Sequence, residues 1–289
     1  MRLVQPKTLP EAIATLATDP QACCLAGGAT LISFVKSGRV RPTQLVSLKR
    51  VEELHGLTVA DNGSVVIGAM TPHREVARAA CLLHGHEILR EAAAQTAHPT
   101  IRNMATLGGS IAGGDPTADY PCALLAAGAD ILVADAAGAF AVSVDDFFLD
   151  RYVTALAPGQ IVTGAHLPAT TAHETSAFVK FSRVDGDYAT LTVGVRIGWS
   201  GEECRSLRIA IGSFGATPLR SPDVEAMLIG TRLLSAEVKR AGDAYVGLGR
   251  PRDDIKASAN YRRLILPGML QRAVEQARAR LPSRSGALA

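Results

Sequence analysis

Apolar and polar positions change period several times along the chain. In TLPEAIATLATDP, Leu9, Ile13 and Leu16 recur on one helical face. Thr8 stands where its hydroxyl can cap that helix, and Glu11 completes a capping-box signature. ACCLAGG reads as a buried strand entering a glycine turn, TLISFVKSG as a short helix stopped by Gly38, and TQLVSL as a further strand. LTVADNGSVVIGAM places two apolar runs around Asp61-Asn62-Gly63, a hairpin signal.

TPHREVARAA begins a helix with Thr71 as cap and Pro72 at the first helical position. A further helix is predicted from about residue 87 to 96. The stretch TLGGSIAGGDPTADYP follows, with almost no long side chain, and then an apolar helix, CALLAAGA. DILVADAAGAFAVSV predicts a second hairpin turning at Gly138, and GQIVTGAHLP one more strand. Beyond residue 170 come strand candidates SAFVKFS, ATLTVGVRIGWS and SLRIAIGSFG. Helix candidates SPDVEAMLIGTRLL, AEVKRAGDAYVGL and SANYRRLILPGMLQRAVEQARAR follow, the last broken or kinked at Pro267-Gly268.

Strands followed by helices indicate an α+β unit. The polar PATTAHETS sets a boundary near 170–176, dividing the chain into 1–172, with lobes of about 1–55 and 56–172, then 173–282 and a frayed tail, 283–289.

The chain has 289 residues, 47% hydrophobic and 20% charged, enough for a sizeable core under a polar surface. A net charge of +3, with acid and base interspersed, gives no electrostatic case for nucleic acid. No apolar run is long enough to span a bilayer, and MRLVQPKTLPEAIATLATDP lacks the regions of a secretory signal, so the expected location is cytoplasmic. Five cysteines at 23, 24, 81, 122 and 204 form no Cys-x-x-Cys pair. That argues against a disulfide framework, a zinc site or an iron–sulfur cluster; Cys23 and Cys24 read as buried small residues.

Two segments share one design: LAGGATL (25–31) and TLGGSIAGGDP (106–116) each hold a Gly-Gly pair with a nearby hydroxyl. Glycine lets another molecule approach the backbone, and consecutive free N–H groups form anion-binding hollows. Thr30 and Ser110 can add hydroxyl donors, and two such loops meeting in space would suit a pyrophosphate. Each pair can also be no more than a tight turn. Neither segment has the spacing of a P-loop or of a G-x-G-x-x-G strand–turn–helix unit.

LAGGATLISFVKSGRVRP and IRNMATLGGSIAGGDPTADYP resemble the two glycine loops of the flavin subunits of molybdenum hydroxylases. DDIKASANYRRLILPGMLQRAV resembles a segment of that family's last domain, and order and spacing agree over about residues 1–280. The resemblance implies a two-lobed FAD-binding domain of the vanillyl-alcohol-oxidase/PCMH type, followed by a small α+β domain of a three-stranded antiparallel sheet plus helices. It implies an FAD diphosphate between a first loop of Ala26, Gly27, Gly28, Ala29, Thr30 and Leu31 and a second of Thr106, Gly108, Gly109 and Ser110, with Asp115 close behind. Asp119 matches the acidic residue that holds flavin hydroxyls; its alternative role is a helix cap. Ile161 and Val162 match flavin-touching strand positions, and Lys180, Asp187 and Tyr188 a strand and loop facing the ring, where Tyr188 covers one face or is an ordinary half-buried tyrosine.

The sequence departs from the family pattern at Ala29-Thr30, Met104-Ala105 and Gly113-Gly114; the last pair removes a side chain near the cofactor without removing backbone donors. His84 and His86 lie two apart in the chain, and His98 lies beside the second loop. No histidine spacing suggests a metal site, and no side chain is assigned acid–base catalysis. Arg102 reads as one half of a carboxylate pair, and Tyr261-Arg262-Arg263 as structural or interfacial.

The resemblance thus implies an oxidoreductase subunit that carries FAD and passes electrons from [2Fe–2S] clusters to an external acceptor. The clusters would lie on a small partner subunit and a molybdenum–pterin cofactor on a large one, the complex forming a dimer of three-subunit units. Two other readings stand beside it: a stand-alone flavin oxidoreductase of the same fold, and a non-redox dinucleotide-binding module.

Overall fold

The computed structural model describes residues 1–281; the tail expected over 283–289 lies outside them. The N-terminal lobe runs β1 (Arg2–Val4), α1 (Leu9–Ala17), β2 (Cys23–Leu25), α2 (Leu31–Lys36) and β3 (Gln44–Ser47). Its parallel sheet has the order β1-β3-β2. Helix α1 buries Ala12, Ile13 and Leu16 against Val46, Leu48 and Leu54. Thr8 caps α1 by accepting from the Glu11 N–H, but the Glu11 carboxylate returns to the Lys7 N–H rather than to that of Thr8. Cys23 and Cys24 are half-buried, not buried, because β2 lies on the edge of this small sheet.

The second lobe contains β4 (Leu57–Val59), β5 (Val65–Gly68), α3 (His73–Arg78), α4 (Glu87–Gln95), α5 (Pro99–Arg102), α6 (Leu107–Gly113) and α7 (Asp119–Ala127). It continues through β6 (Asp130–Asp135), β7 (Gly138–Ser143), α8 (Val144–Phe147), β8 (Phe148–Asp150), β9 (Val153–Thr154) and β10 (Ile161–Leu167). Both predicted hairpins form, and β10 inserts between them to give the antiparallel order β4-β5-β10-β6-β7. Pro72 is the N-cap of α3, one position earlier than its expected place. The Thr71 hydroxyl, expected to cap, instead donates to the Gly56 carbonyl. His84 and His86 lie on a 3-10 turn, and the His86 ring reaches the Pro168 carbonyl at 2.7 Å.

The C-terminal part is an antiparallel sheet of β11 (Glu174–Phe181), β12 (Leu191–Ser200) and β13 (Glu203–Gly212), followed by α9 (Pro222–Ala226), α10 (Ser235–Leu248) and α11 (Ala259–Arg278). The helix expected over SPDVEAMLIGTRLL shrinks to α9, because Gly230 and Leu233 turn the chain with positive φ while Leu228 and Leu233 enter the core. Helix α11 runs through Pro267 without a break. Gly242 of α10 receives that proline: a Cβ on Gly242 would lie 2.8 Å from the Pro267 Cα. Close packing here offsets the missing backbone donor.

Helix α7 joins the second lobe to the C-terminal sheet. All nine of its residues are buried, which explains why no polar face is visible in its sequence. It packs on β12 and β13, whose opposite face carries α10 and α11. The approach depends on missing side chains: a Cβ on Gly194 would meet that of Ala126 at 3.1 Å, and one on Gly212 would meet that of Cys122 at 3.0 Å. At the carbonyl end of α7, Arg196 Nη1 donates to Ala127 O at 2.7 Å and Arg208 Nε to Leu125 O at 3.0 Å, countering the helix dipole.

Candidate functional site

The first glycine loop links β2 to α2. Gly28 has φ +81°, a conformation that favours glycine, and it bends the chain into the helix. Among the described residues, the N–H groups of Gly27, Gly28, Ala29, Thr30 and Leu31 have no protein acceptor; the first such bond runs from Ile32 N–H to Gly28 O. Thr30 is the exposed N-cap of α2, and its hydroxyl makes no capping bond. The result is a run of open amides beside the exposed Thr30 residue.

The second stretch meets the first directly. A Cβ on Gly27 would sit 2.0 Å from Met104 O and 2.7 Å from the Ala105 Cα, and one on Gly109 would sit 3.4 Å from the Ala26 Cβ. This stretch is not the expected hollow of free amides, however. It is helix α6, and its first amides are occupied: Leu107 N–H donates to Thr71 O, Gly108 N–H to Ala69 O, Gly109 N–H to Thr106 Oγ1 and Ser110 N–H to Thr106 O. Gly108 is a packing glycine, whose added Cβ would be 2.4 Å from that of Ala69. Gly109, Ala112 and Gly113 form the exposed side of α6, and the half-exposed Ser110 joins them.

Behind this helix lies Asp119, the first residue of α7. It is 3% exposed and is not the cap, a position held by Ala118. Its Oδ2 accepts from Lys180 Nζ at 2.9 Å and from the Thr96 hydroxyl at 3.0 Å, while Oδ1 is buried without a partner. Lys180 also donates to Gln95 O at 3.0 Å. Burial pushes the Asp119 carboxyl pKa up, and the Lys180 ammonium opposes the shift.

Asp115 follows α6 and binds the Thr117 N–H and hydroxyl through Oδ1, both at 2.8 Å. Asp115 and Tyr152 act on the Tyr188 hydroxyl, which lies beside Thr30; burial and the aspartate raise its pKa. Asp187 fixes that turn, its Oδ1 accepting from Tyr188 N–H at 2.7 Å. The His98 ring packs on Gly186, where a Cβ would lie 2.6 Å from Nδ1. The structure thus gathers both glycine segments, Asp115, Tyr188 and Asp187 into one region, with the Asp119–Lys180 pair beneath it. The Ile161 and Val162 side chains are buried, Ile161 in the first-lobe core with Ala26 packed against it and Val162 in the second-lobe core. Arg102 binds the Thr96 and Ala97 carbonyls rather than a carboxylate.

The Asp119–Lys180 pair, whose members are 61 positions apart, and the roles of Thr96 and Tyr152 are invisible to sequence reading. For Lys256 the sequence signal is its place in the DDIKASANYRR segment.

Residues 1–170 match the family described as FAD binding domain in molybdopterin dehydrogenase. The chain belongs to this family. Residues 176–277 match the CO dehydrogenase flavoprotein C-terminal domain. The chain is similar to the carbon monoxide dehydrogenase medium chain of Afipia carboxidovorans, 33% identical over 277 residues and covering 96% of each chain. It is similar to the xanthine dehydrogenase FAD-binding subunit of Escherichia coli O157:H7, 27% identical over 272 residues and covering 93% of each. Its fold matches a chain of carbon monoxide dehydrogenase from Hydrogenophaga pseudoflava, in a form lacking the Mo-pyranopterin moiety, with a TM-score of 0.94, 32% identity and 98% coverage of both chains. The chain is therefore an FAD-binding medium subunit of a molybdenum hydroxylase, an oxidoreductase component with the two-part fold of that family. The region fits FAD on its own chemistry: open amides suit a diphosphate, and the unpartnered, buried Asp119 Oδ1 suits a hydroxyl donor.

Proposed function

We propose that the chain carries electrons between one-electron and two-electron partners. In this reading [2Fe–2S] clusters on a small subunit deliver electrons, and an external acceptor removes them. The substrate is oxidised at a molybdenum–pterin cofactor on a large subunit, the whole forming a dimer of three-subunit units in the cytoplasm. Bound FAD supplies storage for two electrons, which lets single-electron donors serve a two-electron acceptor.

The chain's own residues bind and orient. The amides of Gly27, Gly28, Ala29, Thr30 and Leu31 receive the diphosphate, with the Thr30 and Ser110 hydroxyls as further donors. Gly109 lets α6 lie against Ala26 of the first loop and Gly108 lets it lie against Ala69, so that Thr106 and the small side chains of α6 form the opposite wall. Asp119, held by Lys180, accepts a hydroxyl hydrogen through Oδ1. Asp115 and Asp187 shape the opening, and Tyr188 lies across it. Ile161 and Val162 contribute through the backbone of β10, their side chains being buried.

The observation that carries this reading is the run of five open amides at residues 27–31, set against the second segment at Met104–Ala105. The relatives' names differ in substrate, carbon monoxide in one and xanthine in another, while their flavin chains match this one throughout. That supports placing substrate choice on the large subunit. The domain division at about residue 172 follows the passage from β10 to β11.

The test is purification of the full chain, an absorption spectrum and titration with FAD. A flavin spectrum and a smaller and a larger co-purifying polypeptide support the reading. A colourless chain without affinity for FAD would end it, and turnover of substrate by the chain alone would favour a stand-alone oxidoreductase.

A further inference from the structure

Among the described residues, the Lys256 ammonium in the site region has no hydrogen-bond or ion-pair partner. Lys256 Nζ stands 4.6 Å from the centroid of the Tyr188 ring. Asp187, Asp115 and Asp254 act on it through space, and none of them forms a hydrogen bond with its ammonium. The other lysine of the region, Lys180, is held by both Asp119 and Gln95.

The place of Lys256 is fixed by the fold. Arg262, 2% exposed, donates through Nε to Thr190 O at 2.8 Å, through Nη1 to Ala257 O at 3.0 Å and through Nη2 to Asp254 Oδ2 at 2.8 Å. Asp254 Oδ1 in turn accepts from Lys256 N–H at 2.8 Å and Ala257 N–H at 3.1 Å. One guanidinium therefore pins the backbone on both sides of Lys256 and ties it to the chain two residues beyond Tyr188. The aromatic face then steers the ammonium at the end of this fixed loop.

We propose that Lys256 sets the reduction potential of the bound flavin by favouring its reduced, negatively charged state over the oxidised one. The inference rests on the FAD reading above. Two electrons and one proton taken up by the isoalloxazine leave it with one more negative charge. A half-buried ammonium held in a fixed loop stabilises that charge more than the neutral oxidised ring. The charge, rather than the bulk, of residue 256 then controls the preference.

The experiment is reductive titration of the FAD-loaded full chain with dithionite and a mediator dye, comparing the unaltered protein with Lys256→Met, Lys256→Gln and Lys256→Arg. Lys256→Met and Lys256→Gln are expected to bind oxidised FAD nearly as well as the unaltered chain. Their preference for reduced over oxidised flavin should fall about tenfold, a midpoint about 30 mV lower. Lys256→Arg should restore the unaltered value. Neutral variants with the unaltered midpoint would overturn the inference, and so would an Arg variant displaced as far as the Met variant. Both results leave FAD binding intact, whereas an unaltered chain that takes up no FAD would defeat the underlying reading itself.

Discussion

Lys180 Nζ lies 2.9 Å from Asp119 Oδ2, and both side chains are 4% exposed. The pair joins β11 of the C-terminal sheet to the start of α7 and leaves one carboxylate oxygen unpartnered. Removing one member of a buried pair strands the other charge. Lys180→Met should therefore lower unfolding stability by about 3–5 kcal/mol in urea, and adding Asp119→Asn should recover much of the loss. Asp119→Asn alone should weaken FAD binding by about tenfold or more, through loss of a charge-assisted bond. Equal FAD affinity in Asp119→Asn would remove Asp119 from the site.

Gly27 touches the second segment with no room for a methyl group, since a Cβ would fall 2.0 Å from Met104 O. Gly27→Ala should push the segments apart and weaken FAD binding about 10- to 100-fold, in line with an overpacking cost of about 1–3 kcal/mol. Circular dichroism should show the helices retained. An alanine variant with unaltered FAD affinity would show that contact between the two loops is unimportant.

His73 is 3% exposed, and burial, with help from the Arg102 guanidinium, pushes its pKa from 6.5 down to about 4. The unfolded chain therefore binds a proton at this residue between about pH 6.5 and 4 while the folded chain does not. The stabilisation is intact above pH 6.5 and lost as the pH falls through that window, by on the order of 3 kcal/mol in total. His73→Leu should flatten the fall in urea-unfolding stability between pH 7 and pH 5. An identical pH slope in the variant would contradict this.

Gly194 and Gly212 set the spacing between α7 and the C-terminal sheet. Gly212→Val would press a side chain onto Thr192 Oγ1 and Cys122, where a Cβ alone would lie at 2.3 and 3.0 Å. A loss of about 1–3 kcal/mol is expected by chemical denaturation. The same change at Gly247, whose Cβ would meet nothing within 4 Å, should cost clearly less.

Much of the fold was legible where local signals agree with packing. The hairpins around Asn62-Gly63 and Gly138 formed because turn chemistry and flanking apolar runs specify the same structure. TLGGSIAGGDP reads in the sequence as a glycine loop with exposed backbone donors, yet residues 107–113 form α6. Thr106 caps it, Gly114 closes it in a left-handed conformation, and contact with Ala69 requires Gly108. The helix expected beyond residue 226 failed for the converse reason: burial of Leu228 and Leu233 outweighs helical propensity.

The sequence by itself determined the two glycine segments, the hairpins, the α+β texture of the C-terminal part and the lack of any Cys-x-x-Cys pair, since each is written in neighbouring residues. Tertiary structure alone decided that Gly27 rests on Met104, that Asp119 is held by Lys180, and that Arg262 sets Lys256 over Tyr188. Those relationships join residues from separate elements, and their energies arise from desolvation and close approach, which exist once the chain has folded.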